Sequence, residues 1–233
     1  MSATIDAATP TAAVAIDLAV STVRELNTAL QAASDGAAFR VLHPDGRHAL
    51  AAGLTAAVDV AVEGHAGYYC AGMNQRARVR VAGNAGVGVA ENMMSGRVDV
   101  LGNAGQSAGA SAHGGLLVVS GDAAARCAIS LKGADVVVGG DAGHATAFMA
   151  QSGRVVICGD AGEGLGDSLY EARLYVRGRV ASLGADCVEK ELRDEHVAEL
   201  RALLDAAGVT GADPGEFRRY GSARKLYHFE GSH

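Results

Sequence analysis

The sequence predicts a mainly β protein, a right-handed parallel β-helix of about seven 19-residue coils with flanking N- and C-terminal helices. Three observations predict it. Glycine recurs at every nineteenth position, at Gly64, Gly83, Gly102, Gly121, Gly140, Gly159 and Gly178. Fifteen and seventeen residues after each of the first six glycines stand aliphatic pairs, from Val79/Val81 through Val98/Val100, Leu117/Val119, Val136/Val138 and Val155/Ile157 to Leu174/Val176. The composition suits a narrow layered core, with 32 glycines, no tryptophan and 4% aromatic residues, so Ala, Val and Leu must fill the interior close to backbone.

The elements follow in chain order. Residues 1–44 form an N-terminal strand/helix cap, in which Thr22-Val-Arg-Glu25 is a capping box and Val23, Leu26 and Leu30 fall at helical spacing, predicting a helix over 22–33. The solenoid occupies 45–185. A less regular turn begins near Asp45, Val60 and Val62 precede Gly64 in the strand places, and the regular repeat runs from about 64 to 182. Alternation with period two marks a strand with one buried face, and a nineteen-residue unit is too short for a helix-turn-helix repeat. Stacked coils lie roughly 4.8 Å apart, so seven make a rod of roughly 34 Å.

After the repeat glycine comes His65, Asn84, Asn103, Asp122, Asp141, Asp160 or Arg179. A corner between faces that needs left-handed dihedrals explains the Gly-Asn/Asp pair, since glycine adopts them freely and Asn or Asp tolerates them. Residues 186–233 complete the chain as a C-terminal helix and docking tail. There Asp186-Cys-Val-Glu189 reads as a second capping box, and Val188, Leu192, Leu200, Leu203 and Leu204 draw an apolar stripe ending before Gly208. These helices cap or flank the coils, because an uncovered end coil exposes unpaired strand edges.

Charge and patterning narrow the function classes. A net charge of −6 opposes generic binding to nucleic acid or acidic membrane, both of which require a basic footprint. The first twenty residues lack a basic n-region, and no apolar run is long enough to span a bilayer, so the expected location is cytoplasmic.

Candidate chemistry is sparse. Cys70, Cys127, Cys158 and Cys187 show no CxxC spacing; Cys70 and Cys127 share a repeat column but lie three coils apart, roughly 14 Å, which is too far for a disulfide or shared metal. Buried inert thiols are the expectation. Asp122, Asp141 and Asp160 stack in adjacent corners; a turn-forming role is favoured over a cation site. His48, His65, His113 and His144 fall at different repeat positions and do not converge. Gly86-Val-Gly88 and Gly162-Glu-Gly164-Leu-Gly166 lack the following helix of a dinucleotide-binding fingerprint. The tail RRYGSARKLYHFE mixes basic and aromatic residues and reads as an arm that docks on protein. No catalytic, cofactor-binding or metal-binding residue is assigned.

Position sixteen of each unit must point outward if fifteen and seventeen point in. Those residues are Arg80, Asp99, Val118, Val137, Val156 and Tyr175, and the last four form an exposed apolar column unless something covers them. They are the candidate interaction surface, with the Val188 to Leu204 helix as the favoured cover and a partner subunit as the alternative.

Gly102-Asn-Ala-Gly105-Gln106-Ser107-Ala-Gly109-Ala, followed by Gly115-Leu-Leu-Val-Val-Ser-Gly121-Asp-Ala, resembles the GXGXG domain at the C-terminus of the glutamate synthase large subunit. That domain is a right-handed parallel β-helix. The likeness spans about residues 45–182, with Gly105, Gln106, Ser107 and Gly109 as the family motif. Leu174-Tyr-Val-Arg-Gly178-Arg-Val-Ala-Ser-Leu-Gly184-Ala-Asp and Arg224-Lys-Leu-Tyr-His-Phe229 resemble stand-alone members of the family. One such group belongs to N-methylglutamate synthase, also called methylamine–glutamate N-methyltransferase; another is the β-helix subunit of formylmethanofuran dehydrogenase.

The resemblance implies a multisubunit enzyme in which this chain is not catalytic. The chain lacks an N-terminal nucleophilic cysteine, room for a flavin-binding barrel and a cysteine cluster for an iron–sulfur centre. The implied partners are a glutamine-amidotransferase-like subunit and a flavin and iron–sulfur subunit, which would carry the FMN and the cluster. The implied reaction joins methylamine to glutamate and releases ammonia. A subunit of formylmethanofuran dehydrogenase, a subunit of an ordinary glutamate synthase and an independent β-helix hydrolase are the alternatives, the last requiring a paired-carboxylate groove that does not stand out.

Overall fold

The repeat dictates a stack. In the computed structural model, which describes residues 13–224, each unit contributes one strand to a single eleven-stranded sheet. The strands in chain order are β1 (Val14–Asp17), β2 (Ala38–Leu42), β3 (Asp59–Val62), β4 (Arg78–Val81), β5 (Arg97–Val100), β6 (Leu116–Val119), β7 (Lys132–Val138), β8 (Ser152–Ile157), β9 (Arg173–Val176), β10 (Cys187–Lys190) and β11 (Arg218–Ser222). β1 to β9 pair in parallel and in sequence order, with Val79, Val98, Leu117, Val136, Val155 and Leu174 in one row across the ladder. A second ladder of single bridges runs from Ala66 through Ala85, Ala104, Ala123, Ala142 and Ala161 to Val180. The chain is therefore a β-solenoid, and the two ladders rise on different sides of one core.

Positions fifteen and seventeen point inward. Val79, Val81, Val98, Val100, Val136, Val138, Val155 and Ile157 are fully buried. Each such aliphatic residue contributes about 1.5–3 kcal/mol relative to exposure. The turn that closes the coil carries the buried Ala71, Ala90, Ala128 and Ala147, whose small side chains keep the interior thin.

The closing turn has a backbone that glycine alone does not announce. In each coil three alternate residues are left-handed, as at Ser107, Gly109 and Ser111 (φ 59°, 68° and 52°) or at Arg126, Ala128 and Ser130 (59°, 56° and 53°). Left-handed backbone costs an L-residue about 1–2 kcal/mol, so something must offset it. The amide of Ser107 donates forward to Ala125, that of Gly109 donates back to Val89, and that of Ser111 donates forward to Ile129. Alternating the local geometry aims successive N–H groups up and down the stack, and the turn remains part of the hydrogen-bonded ladder.

Two helices flank the coils. α1 (Val23–Gln31) begins at the Thr22 cap, with the Thr22–Glu25 capping box formed, and buries Leu26 and Leu30. It closes the first coil: Asn27 Nδ2 donates to the Ala49 carbonyl at 2.8 Å and Gln31 Nε2 to the Ala52 carbonyl at 2.9 Å. α2 (Asp194–Ala207) ends on left-handed Gly208 and buries Leu200, Leu203 and Leu204.

The second capping box is corrected. Asp186 is left-handed (φ 60°), and Cys187–Lys190 is β10, so the helix starts only at Asp194. The reason lies in the tail: a 3-10 turn at Pro214–Glu216 leads into β11, which inserts antiparallel between β9 and β10 and gives 187–190 a strand partner. The tail residues 225–233 lie outside the described residues.

Candidate interaction surfaces

The corner glycines sit beneath a ladder of side chains. Asn84, Asn103, Asp122, Asp141 and Asp160 each turn Oδ1 toward the next coil, where it accepts the backbone N–H of Asn103, Asp122, Asp141, Asp160 and Arg179 at 2.7–2.9 Å. His65 heads the column, its Nδ1 accepting from the Asn84 N–H at 2.9 Å. The stacked carboxylates are thus each bonded to a backbone donor. Asp160 also pairs with Arg179, and these bonds hold its carboxyl below the usual range.

This arrangement corrects the reason for the corner glycines. Of the seven, Gly64 has a positive φ (151°), whereas Gly83, Gly102, Gly121, Gly140, Gly159 and Gly178 do not. The requirement is close approach. A Cβ on Gly102 would lie 2.2 Å from Asn84 Oδ1, and one on Gly140 would lie 2.1 Å from Asp122 Oδ1. Any side chain there displaces the rung beneath it.

The motif residues divide by role. Gly105 faces the Gly86 backbone, where a Cβ would approach to 2.7 Å. Ser107 and Gly109 are left-handed, and a Cβ on Gly109 would press on Leu117 and Val136 at 3.1 and 3.3 Å. Gln106 is exposed, and its carbonyl accepts the Gly88 N–H.

Val118, Val137, Val156 and Tyr175 do point outward and are at most 2% exposed. They form a second core with Leu200, Leu203, Leu204, Ala207 and Phe217. The cover is the chain's own α2, so this column is not a surface open to a partner. Glu199 of α2 fixes the contact, accepting the Tyr175 hydroxyl at 2.6 Å and pairing with Arg173 and Arg154. Burial and this hydrogen bond push the Tyr175 phenol far above its ordinary value. At the other end of α2, Arg97 bridges buried Asp99 to the Ala206 carbonyl.

The thiols are not poised for nucleophilic chemistry. Burial pushes Cys70 and Cys127 up to about 12, and Cys158 and Cys187 up to about 11, so all four stay protonated at neutral pH. Among the described residues no group of three His, Cys, Asp or Glu side chains could hold a metal ion, and no helix is long and apolar enough to cross a membrane.

Three of the open surfaces among the described residues lie beside or beyond α2. The sheet face ahead of α2 carries Arg40, Ala61 and Arg80. A cleft of about 670 Å³ between that face and residues 207–212 holds Arg80, Ser120, Cys158 and Arg177, and Ser120 Oγ has no hydrogen-bond partner there. The end bearing β10 exposes Leu183 and Val188.

No family model matches the chain. Protein GlxC of Rhizobium meliloti (strain 1021) is 57% identical over 217 residues, which span 92% of this chain and 95% of that protein.

Proposed function

This chain belongs to the family of Protein GlxC, and from the resemblance of its glycine-rich repeat to the glutamate synthase GXGXG domain we propose that it is a non-catalytic structural subunit of a glutamate-synthase-like complex of the N-methylglutamate synthase kind. Its partners in this reading are an amidotransferase-like subunit and a subunit carrying flavin and an iron–sulfur cluster. Together they convert methylamine and glutamate to N-methylglutamate and ammonia. The rod holds the two partner sites at a fixed separation.

One observation carries the scaffold role: hydrogen bonds join each coil to the next on both strand ladders, around the left-handed turn and along the Asn/Asp corner. A stack tied on every side resists bending. Transfer of an intermediate between two sites depends on fixed geometry, to which stiffness contributes directly.

Purification of the tagged chain from its native cell tests the reading. Stoichiometric co-elution with an amidotransferase-like polypeptide and a flavin-containing iron–sulfur polypeptide, with methylamine-dependent N-methylglutamate formation, is the expected result. Co-elution with a tungsten or molybdenum pterin protein would place the chain with formylmethanofuran dehydrogenase instead.

A further inference from the structure

The β10–β11 end of the rod gathers positive charge that its own carboxylates do not neutralise. Lys190 on β10 stands directly opposite Arg219 on β11, and Arg219 stands opposite Tyr175 on β9. The cations therefore share the face that α2 adjoins, and like charges directly opposite destabilise an antiparallel pair. Among the described residues neither forms an ion pair. Arg219 instead gives its Nε–H to the Glu191 carbonyl at 2.8 Å.

Arg173 and Arg154 flank the pair: Arg154 is held by Asp135 through two hydrogen bonds and reaches Glu199 only at 3.4 Å, whereas Arg173 pairs with Glu199, which also accepts from Tyr175. All four cations line a groove of about 560 Å³, with Glu171 and Glu199 as its carboxylates. With Arg154 neutralised by Asp135, the groove sets Arg173, Lys190 and Arg219 against Glu171 and Glu199, a local positive excess in a chain of net charge −6. Burial, reinforced by Arg193 and Arg173, holds the Arg219 guanidinium below its ordinary range. The groove also falls within the roughly 300–1,000 Å³ range of small-molecule sites.

We propose that this groove binds a small oxyanion-bearing molecule, a carboxylate or a phosphate, with Lys190 and Arg219 as its principal contacts and Arg173 beside them. A guanidinium offers two parallel N–H donors to a planar oxyanion, and the ammonium adds a point charge. The anion relieves the Lys190–Arg219 repulsion, so binding stabilises the β10–β11 pair. Binding here requires no partner subunit.

Thermal unfolding of the purified full chain tests the site, with inorganic phosphate and, separately, glutarate titrated against potassium chloride at matched ionic strength. A saturable rise in Tm with one of the two is expected, and the more potent probe identifies the class. Lys190→Gln/Arg219→Gln should weaken that response at least about tenfold, the effect of losing roughly one charged hydrogen bond. Without either probe, Lys190→Gln should raise Tm at low ionic strength, and the gain should vanish at high salt.

Should the double variant fail to fold, isothermal titration of Lys190→Gln alone reads the same loss. Equal responses of wild type and variant at matched ionic strength overturn the proposal. So does a probe response that emerges only when the chain is cut after Arg224, because residues 225–233 would then be the occupant.

Discussion

The outward column of the sheet changes character halfway along the rod. From β2 to β5 it reads Arg40, Ala61, Arg80, Asp99; from β6 to β9 it reads Val118, Val137, Val156, Tyr175. The register is continuous and the backbone is the same, yet α2 covers the second half and leaves most of the first open. A solenoid repeat fixes where side chains point, and the residues at one position in each unit then decide which part of that face becomes core. Asp99 marks the boundary, buried under Arg97 where the last turn of α2 arrives.

The largest effect should come from charging the covered half. Val137→Asp with Val156→Asp places two carboxylates in a dry apolar layer and should cost more than about 4 kcal/mol. Loss of the α2 circular-dichroism signal or of folding altogether would register it. Ala61→Asp, in the same column of the open half, should change stability by no more than about 0.5 kcal/mol. Similar losses in both halves would erase the distinction.

Corner substitutions should ignore the boundary. Gly102→Ala and Gly140→Ala each drive a Cβ into a carboxyl or amide oxygen of the coil below, breaking a rung and costing about 2 kcal/mol or more by denaturant unfolding. Because the cause is close approach, Gly102→Asn should fare no better than Gly102→Ala. A rescue by Asn would instead indicate a dihedral requirement.

Smaller still is the effect of Glu199→Gln, which removes the charge that holds Arg154, Arg173 and Tyr175 under α2. A loss of about 1 kcal/mol is expected, because Arg173 is half exposed and Arg154 keeps its pairing with Asp135. Glu63→Gln, which frees exposed Arg40 in the open half, should leave Tm unchanged within error.

The smallest effect is a pH dependence. Nδ1 of buried His196 accepts the Arg193 N–H at the start of α2, and burial, with the nearby Arg219 guanidinium, depresses its pKa. The unfolded chain then binds the proton more readily, so stability should fall as pH drops below about 6.5, the unfolded value, and level off beneath the folded one. His196→Gln should flatten that part of the profile of Tm against pH.

Much of this was legible in the sequence. The period, the inward row at positions fifteen and seventeen, the Thr22 cap and the outward placement of Val118 to Tyr175 all follow from spacing alone. Three features were not. The corner glycines answer to the distance between coils, a property of the stack that a single repeat does not carry. The left-handed turn is populated largely by Ala and Ser, such as Ala90, Ala128 and Ser130, where only the recurrence of small residues in those columns hinted at unusual backbone. Finally, β10 exists because β11 returns from more than twenty-five residues downstream to pair with it, and the local Asp186–Glu189 pattern could not foresee that partner.

Hydrogen exchange of α2 and of the β6–β9 strands, measured in the isolated chain and again in whatever assembly co-purifies with it, tests most directly whether the rod seals this face by itself. Strong protection of residues 194–207 is expected in isolation, unchanged on assembly, with new protection confined to surfaces that α2 leaves open. Free exchange of α2 in the isolated chain, suppressed only when partners bind, would contradict it.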